Sequence, residues 1–193
     1  MTPIIVPVES IVPTPWRNGG GTTRELCAWP SPQDWILRIS VAEILASGPF
    51  SAFPGIDRWF AVLSGGAIRL ETAGSAAREF TARDVSLQVF SGDASTHCTA
   101  LGAATRDFNV MLRRARARLA QQPLSQCPVL ETSAALIALF ATAPVTVVSD
   151  GDATCRLPGM ALAWWHNPRR EPLALRATAT AVRGWWLEVN ADP

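Results

Sequence analysis

The chain has 193 residues, 48% apolar and 17% charged, with eight Trp and seven Phe; this excludes a disordered tail and suffices for one substantial core or two smaller ones. A formal charge of +1 removes any strong field for steering toward nucleic acid or an anionic membrane. All 17 basic side chains are Arg, so the absence of Lys and Tyr excludes lysine Schiff bases, lysine-bearing phosphate loops and tyrosyl chemistry, and two histidines cannot build a His-rich metal centre.

Residues 4–7 form a short apolar run, followed by proline-punctuated coil as far as Pro15. That is the pattern of an edge strand or an extended arm. Trp16, Arg17, Asn18 and the glycines 19–21 read as a tight loop, after which residues 22–29 resume an extended pattern and residues 30–32 turn. In residues 35–41, Trp35, Leu37, Ile39 and Val41 alternate onto one face of a predicted strand. Gly48-Pro49 and Pro54-Gly55 bracket an aromatic segment with Phe50 and Phe53. Residues 57–63 are predicted as strand, Ser64-Gly65-Gly66 as a turn, and residues 67–72 as the return arm of a hairpin. Residues 85–90 alternate again before a turn at 91–93. Residues 107–112 place Phe108, Val110 and Leu112 on one face and Asp107, Asn109 and Met111 on the other.

The second half has the same texture. Residues 135–140, 145–148, 159–165, 173–182 and 185–189 are expected to be extended, with a turn at 149–152, although the Ala and Leu of residues 133–140 also permit a short helix. Many short strands between Gly, Pro and Asp turns predict an all-β sandwich or barrel. The polar, proline-broken stretch 121–126 divides it into residues 1–122 and a smaller half, residues 123–193, with terminal strands free to exchange between the halves. Cys27, Cys98, Cys127 and Cys155 form no CxxC, and the first residues lack the charged and apolar regions of a signal peptide. A cytoplasmic protein with reduced thiols is expected. The longest apolar stretch, residues 134–148, is too short to span a membrane and contains Pro144.

Chemistry is densest in residues 16–25, where the Trp16 indole, the Arg17 and Arg24 guanidiniums, the Asn18 amide, the Thr22 and Thr23 hydroxyls and the Glu25 carboxylate surround three glycines. The set suits a small polar molecule with an anionic end. Equally, it suits a turn whose polar groups satisfy one another. Arg58, at the entrance of an apolar strand, is placed to clamp a carboxylate or to pair with Asp57, Glu25 or Asp107. Asp107 and Asn109 share a face and would project into one hollow. His97 follows Ser91 and Asp93 without the strand–nucleophile–helix elbow of a hydrolase, and His166 reads as a turn residue. In residues 113–118, period two puts Arg114, Arg116 and Arg118 on one solvated strand face, too narrow a patch for nucleic acid.

The ordered set formed by residues 16–25, Phe50, Phe53-Pro54-Gly55, Asp57-Arg58, residues 63–66, 90–93 and 107–111, and finally Trp185 to Asn190, closely resembles the HutD/Ves family over nearly the whole chain. The resemblance implies a bicupin, two cupin-like jelly-roll β-barrels in one chain. Its HutD branch implies a link to histidine utilisation, where family members have been proposed to bind a small anion such as N-formylglutamate and to limit pathway induction. Its Ves branch implies a stress or cold response. The chain has no His-x-His, so metal-dependent cupin chemistry is not inherited with the fold. No metal, cofactor or catalytic residue is assigned. The ligand-binding residues carried over are Trp16, Arg17, Asn18, Thr22, Glu25, Arg58, Asp107 and Asn109. The expected partner is a small carboxylate, with no nucleic acid and no membrane, and a homodimer is left open. Two alternatives stand beside this regulatory binding protein: a metal-independent hydrolase, lyase or isomerase using Glu25, Asp107 or His97, and a stress-related protein-interaction module.

Overall fold

Branched and aromatic residues recur at strand spacing along nearly the whole chain, and the backbone follows them: strand accounts for 61% of a computed structural model that describes residues 1–149, 154–178 and 182–191. In chain order the strands are β1 (Ile4–Pro7), β2 (Thr14–Pro15), β3 (Gly21–Trp29), β4 (Leu37–Ile44), β5 (Gly48–Pro49), β6 (Ile56–Thr72), β7 (Arg78–Phe80), β8 (Gln88–Ser91) and β9 (Thr96–Arg113). They continue as β10 (Ala117–Pro123), β11 (Val129–Thr132), β12 (Leu136–Ala141), β13 (Val145–Ser149), β14 (Thr154–Leu157), β15 (Ala161–His166), β16 (Leu173–Thr178) and β17 (Gly184–Ala191). One 3-10 turn, Val8–Ser10, follows β1. No helix among the described residues is long and apolar enough to cross a membrane.

The chain forms two compact units, Ile11–Arg116 on the one hand and Met1–Ser10 with Ala117–Pro193 on the other. The predicted cut after residue 122 does not coincide with this division. β10 pairs along its whole length with β17, from Ala117 opposite Ala191 to Pro123 opposite Trp185, and β1 pairs with β15.

In the unit of residues 11–116 the antiparallel order is β2-β3-β4-β9-β6-β7, with β5 added on β9 and β8 on β6. The predicted hairpin at Ser64-Gly65-Gly66 is not one. Residues 56–72 run as a single strand against β9, with register shifts between Val62 and Ser64 and between Gly65 and Ala67. A Cβ on Gly65 would lie 2.0 Å from the Ala104 carbonyl oxygen, and its φ of 95° favours glycine, so these residues make a bulge that bends the ribbon instead of reversing it. Leu37, Ile39 and Val41 share a fully buried face as predicted, but Trp35 precedes the strand and packs beneath the Arg113 guanidinium, 5.2 Å from its ring. The arginine run is not a strand face either. β9 ends at Arg113 and β10 begins at Ala117; between them Arg114 holds Asp57 and Asp93, and Arg116 reaches Asp34 at 2.9 Å.

The other unit stacks its strands in a five-stranded sheet, β1-β15-β12-β17-β10, and a four-stranded sheet, β11-β16-β13-β14. The helix allowed over residues 133–140 is absent. Leu136–Ala141 is a central strand hydrogen-bonded to β15 and β17, with all six residues buried, and pairing on both edges overrides local propensity. Its core gathers Ile137, Leu139, Val147, Leu175, Trp165 and Trp186, the two indoles 6.2 Å apart. The predicted extension of residues 173–182 is realised over 173–178; residues 179–181, and 150–152 of the predicted turn, lie outside the described residues. The hydrogen-bonded ladders of both units end in edge strands, so these cupin-like units are not closed barrels: one is a single eight-stranded sheet and the other a pair of sheets.

Candidate functional site

Cross-strand register lays out one face of the sheet in the 11–116 unit. Arg38 on β4 lies opposite Met111 on β9, which lies opposite Arg58 on β6. The next row is Glu25, Ser40, Asn109 and Phe60; the third is Thr23, Ala42, Asp107 and Val62. Over this face, including Thr23 and Ala42 of the third row but not Asp107 or Val62, lies a cavity of about 950 Å³, closed at its sides by Trp16, Arg17 and Asn18 from the β2–β3 loop and by Phe50 and Phe53. That volume is in the range of small-molecule sites.

The loop is held by its own bonds. Gly19 N–H donates to the Trp16 carbonyl, Gly20 N–H donates to Asn18 Oδ1, and the Trp16 indole N–H donates to Thr23 Oγ1 at 2.8 Å. Gly21 has no room for a side chain: a Cβ would stand 2.2 Å from the Glu43 carbonyl oxygen and 3.1 Å from the Trp16 ring. The indole therefore rests directly on the strand and meets Phe50 edge-on, with centroids 6.5 Å apart.

Four charged residues line the cavity, three of them Arg. Arg38 Nε donates to Glu25 Oε2 at 2.5 Å, which accounts for one pair. Arg17 lies exposed at the rim, and neither it nor Arg58 has an acidic partner among the described residues. The candidate structural partners of Arg58 are engaged elsewhere: Asp57 with Arg114, Glu25 with Arg38, and Asp107 with the Thr105 hydroxyl. Arg58 is only 9% exposed and is enclosed by the rings of Phe50, Phe90 and Phe53, whose centroids lie 4.9, 5.0 and 5.7 Å from its guanidinium carbon. Cation–π attraction from three faces holds the charge in place without neutralising it. Burial first, then the nearby Arg38 charge, bring its pKa down to about 10, so it stays cationic at neutral pH. Its Nε has no hydrogen-bond acceptor.

Of the residues expected from sequence to bind a ligand, Trp16, Arg17, Asn18, Glu25, Arg58 and Asn109 line this cavity, whereas Thr22 and Asp107 do not. Thr22 belongs to the other face of β3, in register with Glu43, where Arg24 and Arg106 also meet the Glu43 carboxylate at 3.1 and 2.9 Å. The hydrogen bond from Arg106 leads in holding that carboxyl below its usual range. Asp107 is on the cavity-side face but fully buried, one row beyond Asn109. His97 is exposed on β9, opposite Pro49 and Glu71, and does not line the cavity with Glu25. Sequence reasoning missed Arg38 and Ser40. The alternation that assigned Leu37, Ile39 and Val41 to one face placed these two on the other, and that second face also turns inward.

Fold and site together define a two-unit cupin-fold protein with a ligand-sized, cationic cavity in one unit. Its backbone aligns with a mutant of Bacillus subtilis oxalate decarboxylase OxdC at a TM-score of 0.62, covering all of this chain and 78% of that one at 7% identity. The HutD family model matches residues 8–183, and the chain belongs to that family. It is 36% identical over 137 residues to the uncharacterized 21.2 kDa protein in the hutC 3' region of Pseudomonas putida, covering 70% of this chain and 71% of that protein. It is 39% identical over 105 residues to protein Ves of Citrobacter koseri, a match to 53% of this chain and only 54% of the Ves chain. The structure of HutD from Pseudomonas fluorescens SBW25 aligns with a TM-score of 0.85 at 24% identity, over 99% of this chain and 100% of that one.

Proposed function

We propose that this chain is a non-metal, small-molecule-binding accessory or regulatory protein that takes a small anionic intermediate of amino-acid catabolism into the cavity of its 11–116 unit. N-formylglutamate in histidine utilisation is the specific ligand put forward. The observation that carries the reading is Arg58, a cation lining the cavity, walled by three aromatic rings and left without a carboxylate partner among the described residues. A guanidinium in that state binds a planar carboxylate strongly, because burial weakens competition from water and the fork geometry fits two oxygens. Asn109 supplies an amide for an acyl or formyl group, and the Trp16–Phe50 edge gives the apolar wall. Relatives named for HutD and for the hutC region support the pathway assignment.

Calorimetric titration with N-formylglutamate, urocanate and histidine tests the ligand. N-formylglutamate is expected to bind. Arg58→Met should weaken it by about 2–3 kcal/mol, roughly 30- to 150-fold, as expected for losing hydrogen bonds to a charged group. Arg58→Lys should recover only part of that, since a point charge cannot make the bidentate contact. Absence of heat with all three compounds, using folded protein, removes the ligand assignment.

A further inference from the structure

We propose that Asp107 determines specificity in this cavity by accepting a hydrogen bond from the end of the ligand remote from Arg58. The site then takes a short acid whose far end carries an O–H or N–H group. The inference rests on the anion-binding reading above and extends it to the other pole of the site.

Asp107 is fully buried, and its carboxyl is only half satisfied. Oδ2 accepts the Thr105 hydroxyl at 2.8 Å, while Oδ1 has no hydrogen-bond partner. Leaving a buried acceptor unpaired costs about 1–3 kcal/mol, more when it is charged, so such an oxygen signals a donor supplied from elsewhere. The neighbours cannot supply one. Ala42 and Val62 flank Asp107 across the sheet, and on its own strand the Asn109 amide reaches only the Asp107 main-chain oxygen, at 3.4 Å. Cys98 is near enough for its thiol pKa, pushed up to about 12 chiefly by burial, to be raised further by the Asp107 charge, yet it makes no hydrogen bond to it. Among the described residues, no cation pairs with the carboxyl.

Location connects this orphan to the ligand. Asp107 and the Arg58 row are four residues apart along β9, about 13 Å at strand spacing, on the same face. Asn109 and Ala42, the residues beside it, themselves line the cavity. Asn109, between Asp107 and the Arg58 row on this face, makes only a long bond of 3.4 Å, and for this role it has to yield Oδ1 to an occupant anchored at Arg58. The arrangement is a polar axis: cation at one end, amide midway, lone acceptor at the other.

Valerate and 5-hydroxyvalerate, acids of equal chain length that differ in a terminal hydroxyl, probe this axis by calorimetry on the full chain. The wild type is expected to bind 5-hydroxyvalerate about tenfold more tightly. That ratio should fall to about one in Asp107→Ala and persist in Asp107→Asn, which keeps an acceptor oxygen. Equal affinities in the wild type, which require no variant to fold, overturn the role of Asp107; so does a preference that survives in Asp107→Ala. A crystal structure with 5-hydroxyvalerate should place its hydroxyl on Oδ1, and a water retained there instead also overturns it. Valerate binding that is lost in Arg58→Met but shows no hydroxyl preference would leave the anion site standing without this pole. Failure of both acids to bind overturns the role of Asp107, and the titration with N-formylglutamate then decides whether the anion site stands.

Discussion

Trp165 and Trp186 fill the interior of the unit built from residues 1–10 and 117–193, with Ile137, Leu139 and Val147 packed around them. In the unit of residues 11–116, strands of the same antiparallel kind carry Arg38, Ser40, Arg58 and Asn109 on a concave face, and about 950 Å³ stays open above them. The sheets are alike in pleat and pairing. What differs is the volume and polarity of the side chains on one face. Large indoles turn a sandwich into a core, whereas guanidiniums walled by Phe turn it into a vessel. In this chain one unit serves as scaffold while the other holds the cavity, since the backbone ladder is indifferent to which residues point inward.

The largest effect should come from breaking the filled unit. Trp186 is fully buried, and its indole N–H donates to the Cys127 carbonyl at 3.0 Å. Trp186→Ala should cost about 3–5 kcal/mol, read from denaturant unfolding, because it opens a void and leaves that carbonyl unpaired. A loss below about 1 kcal/mol would mean that the interior is already loosely packed, and the contrast with the cavity unit would fail.

Asp107 offers the next largest effect, and its size depends on pH. Burial raises its carboxyl to about 7, against the lowering pull of the Thr105 hydrogen bond. The folded state therefore binds the proton more tightly than the unfolded chain. Stability is full below the unfolded pKa near 4, declines as pH rises through the window, and levels off above about 7. Asp107→Asn removes the ionisation. It should gain about 2–4 kcal/mol over the wild type at pH 8 and almost nothing at pH 4. Thermal melts across that range check it; a gain independent of pH would show that the carboxyl is solvated in the native state.

Arg58→Met should move stability by less than about 1 kcal/mol, since a lone buried charge is exchanged for an apolar side chain of similar length. Urea unfolding of the ligand-free protein measures it. Destabilisation of 3 kcal/mol or more would make Arg58 part of the frame, not the lining, and would erase the distinction between vessel and core.

Much of this contrast was legible in the residues. Alternation at Leu37, Ile39 and Val41, and at Phe108, Val110 and Leu112, located the two central strands, and the cluster at residues 16–25 located the mouth of the cavity. The double glycine at 65–66 was misleading because a tight turn and a bulge use the same residues; only the matching length of β9 distinguishes them. Arg38 was hidden for a related reason. Period two separates two faces but cannot tell a solvated face from a concave one. Thr22 was placed at the site through its neighbours in sequence, yet odd and even positions of β3 go to opposite sides, so Thr23 and Glu25 line the cavity and Thr22 does not. The unpaired oxygen of Asp107 depends on which side chains three strands bring together, and no local pattern encodes that.

The smallest effect concerns how the cavity unit holds its turns. Asp93 accepts the Gly55 N–H at 2.7 Å and the Ser91 hydroxyl at 2.9 Å, and it meets the Arg114 guanidinium at 2.5 Å. The backbone bond from Gly55 leads these in holding its carboxyl down at about 2. Because the folded pKa lies below the unfolded one, the contribution is present above about pH 4 and disappears as pH falls through about 2. The group is solvent-exposed, so water and salt screen most of the pairing energy. Asp93→Asn should therefore lower the melting temperature by only about one to three degrees at pH 6. The difference should close by pH 2 and shrink in 1 M salt. Since Gly55 and Phe53 sit on the turn that leads into Arg58, the same variant should weaken carboxylate binding slightly while leaving the tryptophan-filled unit untouched. A larger loss of stability at pH 2 than at pH 6 would reverse the sign and refute the latch.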